Sequence, residues 1–184
     1  ALAPRLFPSP KELAWAHALL EEHGFSQPLA LHPYATHPAK TPKAAWWRAL
    51  LGHLREAKIP CLVIGHSPTP LLGDSPMNRT NRDSLRQTIA LLALCQGLVT
   101  GDSGPMHLAW GVNTPVFALF GPTTAHWGFV PAGKHHHVLT ASCPKAPCSL
   151  HGQTPCPDGA TCLDRLDPQA TAACILRWRA RVTS

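Results

Sequence analysis

The sequence predicts a doubly wound α/β sheet, with parallel strands and helices on both faces, and three observations carry that prediction. Short apolar runs alternate with amphipathic helical segments along almost the whole chain. The strand candidates are continuously apolar rather than alternating, as strands buried on both faces are. One of them, "GLVTG", runs directly into the glycine-rich turn "DSG", followed by a proline suited to the first position of a helix.

The elements follow in order. "SPKELAWAHALLEEHG" carries a full set of helix signals: Ser9 to cap it, Pro10 for the first turn, Glu12 for a capping box and Gly24 to end it. "PLALHP", Pro28–Pro33, reads as a short buried strand. After the loop "YATHPAKTPK" a helix is predicted from about Pro42 to Ala57, its apolar side formed by Ala45, Trp46, Ala49, Leu50 and Leu54. "IPCLVIG" is a second buried strand. His66–Asn81 is proline-rich and polar, hence loop. Asp83 or Ser84 then caps a helix reaching about Cys95. "GLVTG" is a third strand, "GPMHLAWG" a short helix, "TPVFALFG" a fourth strand and "HHVLTA" a last one. Pro168 to about Arg181 forms a closing helix. Ligands of such sheets bind beyond the carboxyl ends of the strands. The loops that matter are therefore Tyr34–Lys43, His66–Asn81, Gly101–Pro105 and Gly121–Trp127.

With 184 residues the chain is long enough for one domain with a substantial core. No run is long enough to predict a transmembrane helix, and no basic-then-apolar leader opens the sequence, which begins on Ala1 as a processed or excised piece would. The formal charge of +6 is spread over scattered Lys and Arg. With no dense basic stripe and no RNA-binding aromatic motif, the expected partner is a small anion rather than nucleic acid.

The turn "GDSGPMHL", Gly101–Leu108, invites comparison with a hydrolase nucleophile. A trypsin-like serine needs a β-barrel, and an α/β-hydrolase elbow needs G-x-S-x-G, which this loop lacks. A serine hydrolase using Ser103 is thus the lesser alternative. The physics of a strand-to-helix turn favours an anion site instead. The free amide N–H groups along the turn from Ser103 to Met106 face the cleft, the helix end is positive, and Gly104 admits close approach. Asp102 would repel phosphate and is better suited to sugar hydroxyls or to bracing the loop. A purely structural role, Asp102 and Ser103 capping the helix, is compatible with binding.

The block "NRTNRDSLRQTIALLALCQGLVTGDSGPMHLAWGVNTPVFALFGPT" resembles glycosyltransferase family 9, the heptosyltransferases that use ADP-heptose to build lipopolysaccharide. Asp102, Ser103, Gly104, His107, Pro115 and Gly121-Pro122-Thr123 fall on the family pattern. Upstream, "LHPYATHPAKTPK" is similar to the first strand and loop of the donor-binding domain, with Thr36 and Lys40 on its hydroxyl and lysine positions. The likeness covers about residues 28–180. It implies a Rossmann-like domain, one half of a GT-B glycosyltransferase: residues 1–184 as a single C-terminal nucleotide-sugar-binding domain, residues 1–27 as an interdomain crossover helix, and a Cys-rich loop at 143–162. It implies donor contacts from Thr36, Lys40, Asp102, Ser103, Gly104, Pro105, Met106, His107 and Thr123, with Thr80 a weaker candidate. ADP-heptose is the implied donor, with no cofactor required. A glycolipid acceptor and the general base would come through an N-terminal domain of the same parent protein, without which the fragment would be inactive. The implied location is cytoplasmic, peripheral at the inner membrane face. A non-catalytic nucleotide-sugar-binding module is the alternative. Two departures stand out: "KTPK" is one residue shorter than the family loop and lacks its tryptophan, and no carboxylate follows the second strand before Asp74.

Of seven cysteines, Cys61, Cys95 and Cys174 sit in apolar contexts and read as core thiols. Cys143, Cys148, Cys156 and Cys162 crowd one Pro/Gly-rich segment. They are candidate zinc ligands, although the spacing lacks a CxxC knuckle; reduced structural thiols, an iron–sulfur site and disulfides are the other readings. His135-His136-His137 is expected at the entrance to the last strand, and Trp46-Trp47 in the core rather than as a sugar platform.

Overall fold

The computed structural model describes residues 4–124, 130–149, 156 and 162–182. Five parallel strands form one sheet in the order β2-β1-β3-β4-β5. They are β1 (Leu29–His32), β2 (Cys61–Val63), β3 (Gly97–Gly101), β4 (Val116–Phe120) and β5 (His137–Thr140). Five α-helices connect and flank them: α1 (Pro10–Glu22), α2 (Ala44–Glu56), α3 (Leu85–Leu94), α4 (Gly104–Gly111) and α5 (Pro168–Val182).

The helix starts obey local chemistry. Ser9 accepts from Glu12 N–H while Glu12 accepts from Ser9 N–H, a capping box as expected. Ser84 rather than Asp83 caps α3, with Gln87 completing a second box. Gly24 takes φ +67 just past α1, the conformation glycine adopts most cheaply.

The sheet separates two cores by strand alternation. Leu29, Leu31, Val99, Phe117 and Leu119 face Trp47, Leu50 and Leu54 of α2 and Ile175 and Trp178 of α5. Ala30, Leu62, Leu98, Ala118 and Phe120 face Ala16 and Leu20 of α1, Leu91 of α3 and Met106 of α4. Both faces of β1–β4 are therefore buried, which explains their unbroken apolar runs. Each large side chain so buried contributes about 1.5–3 kcal/mol. β5 lies at the edge opposite β2, and its burial alternates. The tryptophan pair is core, as expected: Trp46 and Trp47 are both buried.

Residues 1–27 are not a free arm over the described part. Leu6 N–H donates to Gly111 O at 2.8 Å, and Arg86 of α3 grips the Glu12 carboxylate at 2.6 and 2.7 Å. The Arg86 hydrogen bond, seconded by Ser9 N–H, holds the Glu12 carboxyl down at about 2.

Candidate functional site

The order β2-β1-β3 places a topological switch between β1 and β3, because the chain leaves β1 toward one edge of the sheet and returns past it to the other. The carboxyl ends of these two strands carry His32, Thr100 and Gly101, and the turn after β3 leads at once into α4. A cavity of about 550 Å³ opens there. Of the residues expected from sequence, Thr36, Ser103, Gly104 and Pro105 line it. Leu85 and Leu108 add apolar surface to its lining, and Leu85 is 64% exposed.

Lys40 and Asp102 meet beside this cavity, Nζ to Oδ2 at 2.8 Å, with both side chains largely buried. Two details of the loop after β1 bring them together. Pro38–Lys40 forms a 3-10 turn. Thr41 then fixes the loop's end: its hydroxyl donates to Pro33 O at 3.1 Å and accepts from the Trp47 indole N–H at 3.0 Å. This Thr41–Trp47 tie anchors the shortened "KTPK" loop through a tryptophan of α2. Gly101 completes the approach, because a Cβ there would collide with the Lys40 carbonyl oxygen. Asp102 thus braces the lysine; it does not line the cavity.

The turn itself differs from expectation in three ways. Ser103 occupies the N-cap of α4 with extended backbone, yet its side chain makes no capping bond. Pro105 has no N–H, and Met106 N–H bonds back to Ser103 O at 3.1 Å, so the predicted amide clamp narrows to Ser103 and Gly104. Met106 is a fully buried side chain that belongs to the core on the α1, α3 and α4 face of the sheet. Gly104 is open: a Cβ there would meet nothing within 4 Å.

Three more residues stand apart from the cavity. His107 is partly exposed in the first turn of α4 but is not among the lining residues. Thr80 is buried, and its hydroxyl pairs with Tyr34 OH at 2.8 Å, which also accepts from Leu71 N–H at 2.9 Å. Thr80 therefore holds Tyr34, and it is Tyr34 that lines the cavity. Thr123 is buried in the loop after β4. Residues 125–127 of that loop lie outside the described residues.

Sequence reasoning missed His32. It is only 6% exposed, and burial lowers its imidazole to about 4, so it is neutral at ordinary pH. Its Nδ1 lies 3.1 Å from Thr100 Oγ1 and 3.3 Å from Ser103 Oγ, and the two hydroxyls are 3.0 Å apart. A histidine inside an apolar strand reads as filler; the only signal was its place at the strand's carboxyl end. The Ser103–His32 contact revives the hydrolase question and also answers it. A catalytic base uses one ring nitrogen for serine and the other for an orienting acid. Here Nδ1 is shared with Thr100, and no carboxylate bonds Nε2 among the described residues.

Among the described residues no three His, Cys, Asp or Glu are grouped so as to hold a metal. The candidate zinc set is corrected accordingly. Cys162 is buried against the loop after β4, where a Cβ on Gly121 would fall 2.5 Å from its Sγ. Burial first, then the nearby Cys143, Cys148 and Cys156 thiols, push its thiol up. Most of 143–162 beyond Ser149 lies outside the described residues. Cys61 and Cys95 are core thiols pushed up to about 12 by burial; Cys174 is partly buried against the same core as Cys61. His136 Nδ1 accepts from Val116 N–H at 3.2 Å, tying the entrance of β5 to β4.

With this geometry in hand, the chain's relatives can be named. It is 41% identical over 51 residues to lipooligosaccharide heptosyltransferase 2 of Haemophilus influenzae, a stretch that is 28% of this chain and 15% of that protein. Its fold matches the ADP-heptose lipopolysaccharide heptosyltransferase II of Escherichia coli with a TM-score of 0.76 and 21% identity, over 100% of this chain and 55% of that one. It also matches the E. coli heptosyltransferase WaaC with ADP-2-deoxy-2-fluoro heptose, TM-score 0.62 and 21% identity, over 89% and 48% of the two chains. The chain thus spans about half the length of the solved heptosyltransferases it resembles. No described helix is long and apolar enough to cross a membrane. The model of the glycosyltransferase family 9 (heptosyltransferase) covers residues 9–155, and the chain belongs to that family.

Proposed function

We propose that this chain is the donor-binding, C-terminal domain of a two-domain inverting glycosyltransferase that takes a heptose from ADP-heptose to a lipopolysaccharide-type acceptor at the cytoplasmic face of the inner membrane. The carrying observation is the cavity at the β1/β3 switch, walled by the Ser103–Gly104 turn with the Lys40 ammonium close behind it. Transfer from a nucleoside diphosphate sugar requires stabilising the charge that builds on the departing diphosphate. The Ser103 and Gly104 amides and the positive end of α4 suit those oxygens, and Lys40, held by Asp102, brings an ammonium beside the same turn. Thr36 contributes a hydroxyl from the opposite lip. Leu85 and Leu108 give an apolar wall for a base or sugar face. The acceptor and the general base belong to an N-terminal domain, with residues 1–27 leading in from it. The relatives that bind or use ADP-heptose support the choice of donor.

Gly104→Ala tests this cleanly. The added methyl meets no protein atom, so stability should be unchanged, but it occupies the space a phosphate needs. Calorimetric titration with ADP, UDP and GDP should show ADP bound best, and a loss of about tenfold or more in the variant, equivalent to about 1.4 kcal/mol. Equal ADP affinity in both proteins would reject the phosphate-binding turn.

A further inference from the structure

The contacts around His32 favour one of its two nitrogens as the carrier of the proton. Three polar links run from the ring to the end of β3: His32 Nδ1 to Thr100 Oγ1 at 3.1 Å, Thr100 Oγ1 to Ser103 Oγ at 3.0 Å, and Ser103 Oγ to Gly101 O at 3.3 Å. The route with the two hydroxyls exchanged, ending from Thr100 on Gly101 O at 3.1 Å, is equally open. Either route needs three protons. The hydroxyls supply one each and Gly101 O supplies none, so a route is filled end to end only when Nδ1 donates. With Nδ1 as the acceptor, two protons are left for the three links, so one more of these contacts goes without a hydrogen than in the Nδ1–H form.

The other edge of the ring turns away from these partners, toward Gly65. Cδ2 and Nε2 lie over Gly65, where a Cβ would fall 2.7 Å and 2.9 Å from them, and both His32 and Gly65 line the cavity. Gly65 takes φ +116 at this point, so the backbone is shaped to leave that edge room. No described residue hydrogen-bonds Nε2. Asp102, the acceptor expected from sequence to read sugar hydroxyls, is occupied by Lys40 and does not line the cavity.

We propose that His32 is a hydroxyl-reading residue of the donor site: the Thr100–Ser103 chain holds it as the Nδ1–H tautomer, leaving the Nε2 lone pair to accept a hydrogen bond from a sugar hydroxyl of the bound nucleotide. The proposal rests on the donor-site reading above. It assigns His32 to a hydroxyl and away from phosphate, since a lone pair facing phosphate oxygen would repel it. Ser103 is correspondingly a relay whose proton points to backbone or to Thr100, not toward ligand.

Two measurements test it. In protein with ¹⁵N-labelled histidine, multiple-bond ¹H–¹⁵N spectra should show His32, assigned by its disappearance in His32→Asn, with a protonated Nδ1 and a bare Nε2. A protonated Nε2 overturns the proposal, whatever binds. His32→Asn keeps an amide N–H near the Nδ1 position and removes the cavity-facing acceptor. Its affinity for ADP-heptose should fall about three- to tenfold, the effect of one ligand hydrogen bond. An equal fall for ADP identifies a ribose hydroxyl; a fall for the sugar nucleotide alone identifies a hydroxyl of the transferred sugar. Unchanged affinity for both ligands overturns the proposal while leaving the phosphate site standing. Wild-type protein that binds neither ligand overturns the donor-site reading and the hydroxyl role with it.

Discussion

Lys40 and Asp102 form a pair in which each side chain would be costly alone: the ammonium and the carboxylate are both largely withdrawn from water and 2.8 Å apart. Removing one partner strands the other charge. Lys40→Ala should therefore lose about 1–3 kcal/mol of stability along with ADP affinity. Lys40→Ala/Asp102→Ala should regain most of the stability but none of the affinity, as read by urea midpoints and calorimetry. Wild-type ADP binding in the double variant would remove the lysine from the site. His32 makes a second residue-scale prediction. Its imidazole titrates at about 4 in the fold because burial disfavours the cation, against an ordinary value of 6.5. The unfolded chain binds that proton first as pH falls, so stability is intact above about 6.5 and declines toward pH 4, by up to about 3 kcal/mol. His136, lowered to about 4 first by burial and then by its histidine neighbours, acts in the same direction. Denaturant midpoints between pH 7 and 4 should show the decline, and His32→Asn should flatten it; an equally steep curve in the variant would count against a buried neutral His32.

At the scale of elements, the site depends on how closely the loop after β1 crosses the end of β3. Gly101 and Gly104 sit three residues apart and play opposite parts. At Gly101 an added Cβ runs into the Lys40 carbonyl, a backbone atom that can move only with its loop. Gly101→Ala should cost about 1–3 kcal/mol, the usual range for overpacking, and should displace Lys40 as well. At Gly104 the fold leaves space. A thermal melt of the two alanine variants separates the cases: a lowered midpoint for Gly101→Ala only is the expected result. Identical midpoints would mean the Lys40 loop is not held against β3. α1 shows how an element that reads as a self-contained capped helix becomes part of the layer, through Ala16 and Leu20 beneath it and the Glu12–Arg86 clamp at its start.

For the molecule as a whole, the fold supplies one wall of the proposed reaction site. The cavity holds polar groups suited to a diphosphate and an apolar lip with Leu85 exposed, and it opens at the end of the sheet where a second domain would face it. The chain corresponds to about half of the solved heptosyltransferases it matches. Donor binding and sugar transfer should accordingly separate: the chain alone should bind ADP-heptose, seen as a thermal shift, and transfer no sugar to a glycolipid acceptor in a discontinuous assay. Transfer by the chain alone would show that its own residues include the general base.

Sequence by itself determined the elements of this protein, their order and their parallel pairing. Caps such as Ser9-x-x-Glu12 and apolar runs such as "GLVTG" are set by neighbours along the chain, and alternation of strand and helix leaves few topologies open. It also pointed to the Ser103–Gly104 turn, because a glycine, a proline and a strand end declare themselves locally. Tertiary structure alone decided what those residues touch. Lys40 and Asp102 are 62 positions apart, and His32 and Ser103 are 71 apart. Their pairing follows from β1 lying beside β3 in the sheet. The same packing set Asp102 against Lys40, the bracing role that was one of the two its chemistry allowed, sent Met106 into the core, committed Thr80 to Tyr34, and made a strand histidine part of the cavity wall. Hydrogen bonding and burial at these positions are properties of the assembled sheet, so no local pattern could carry them.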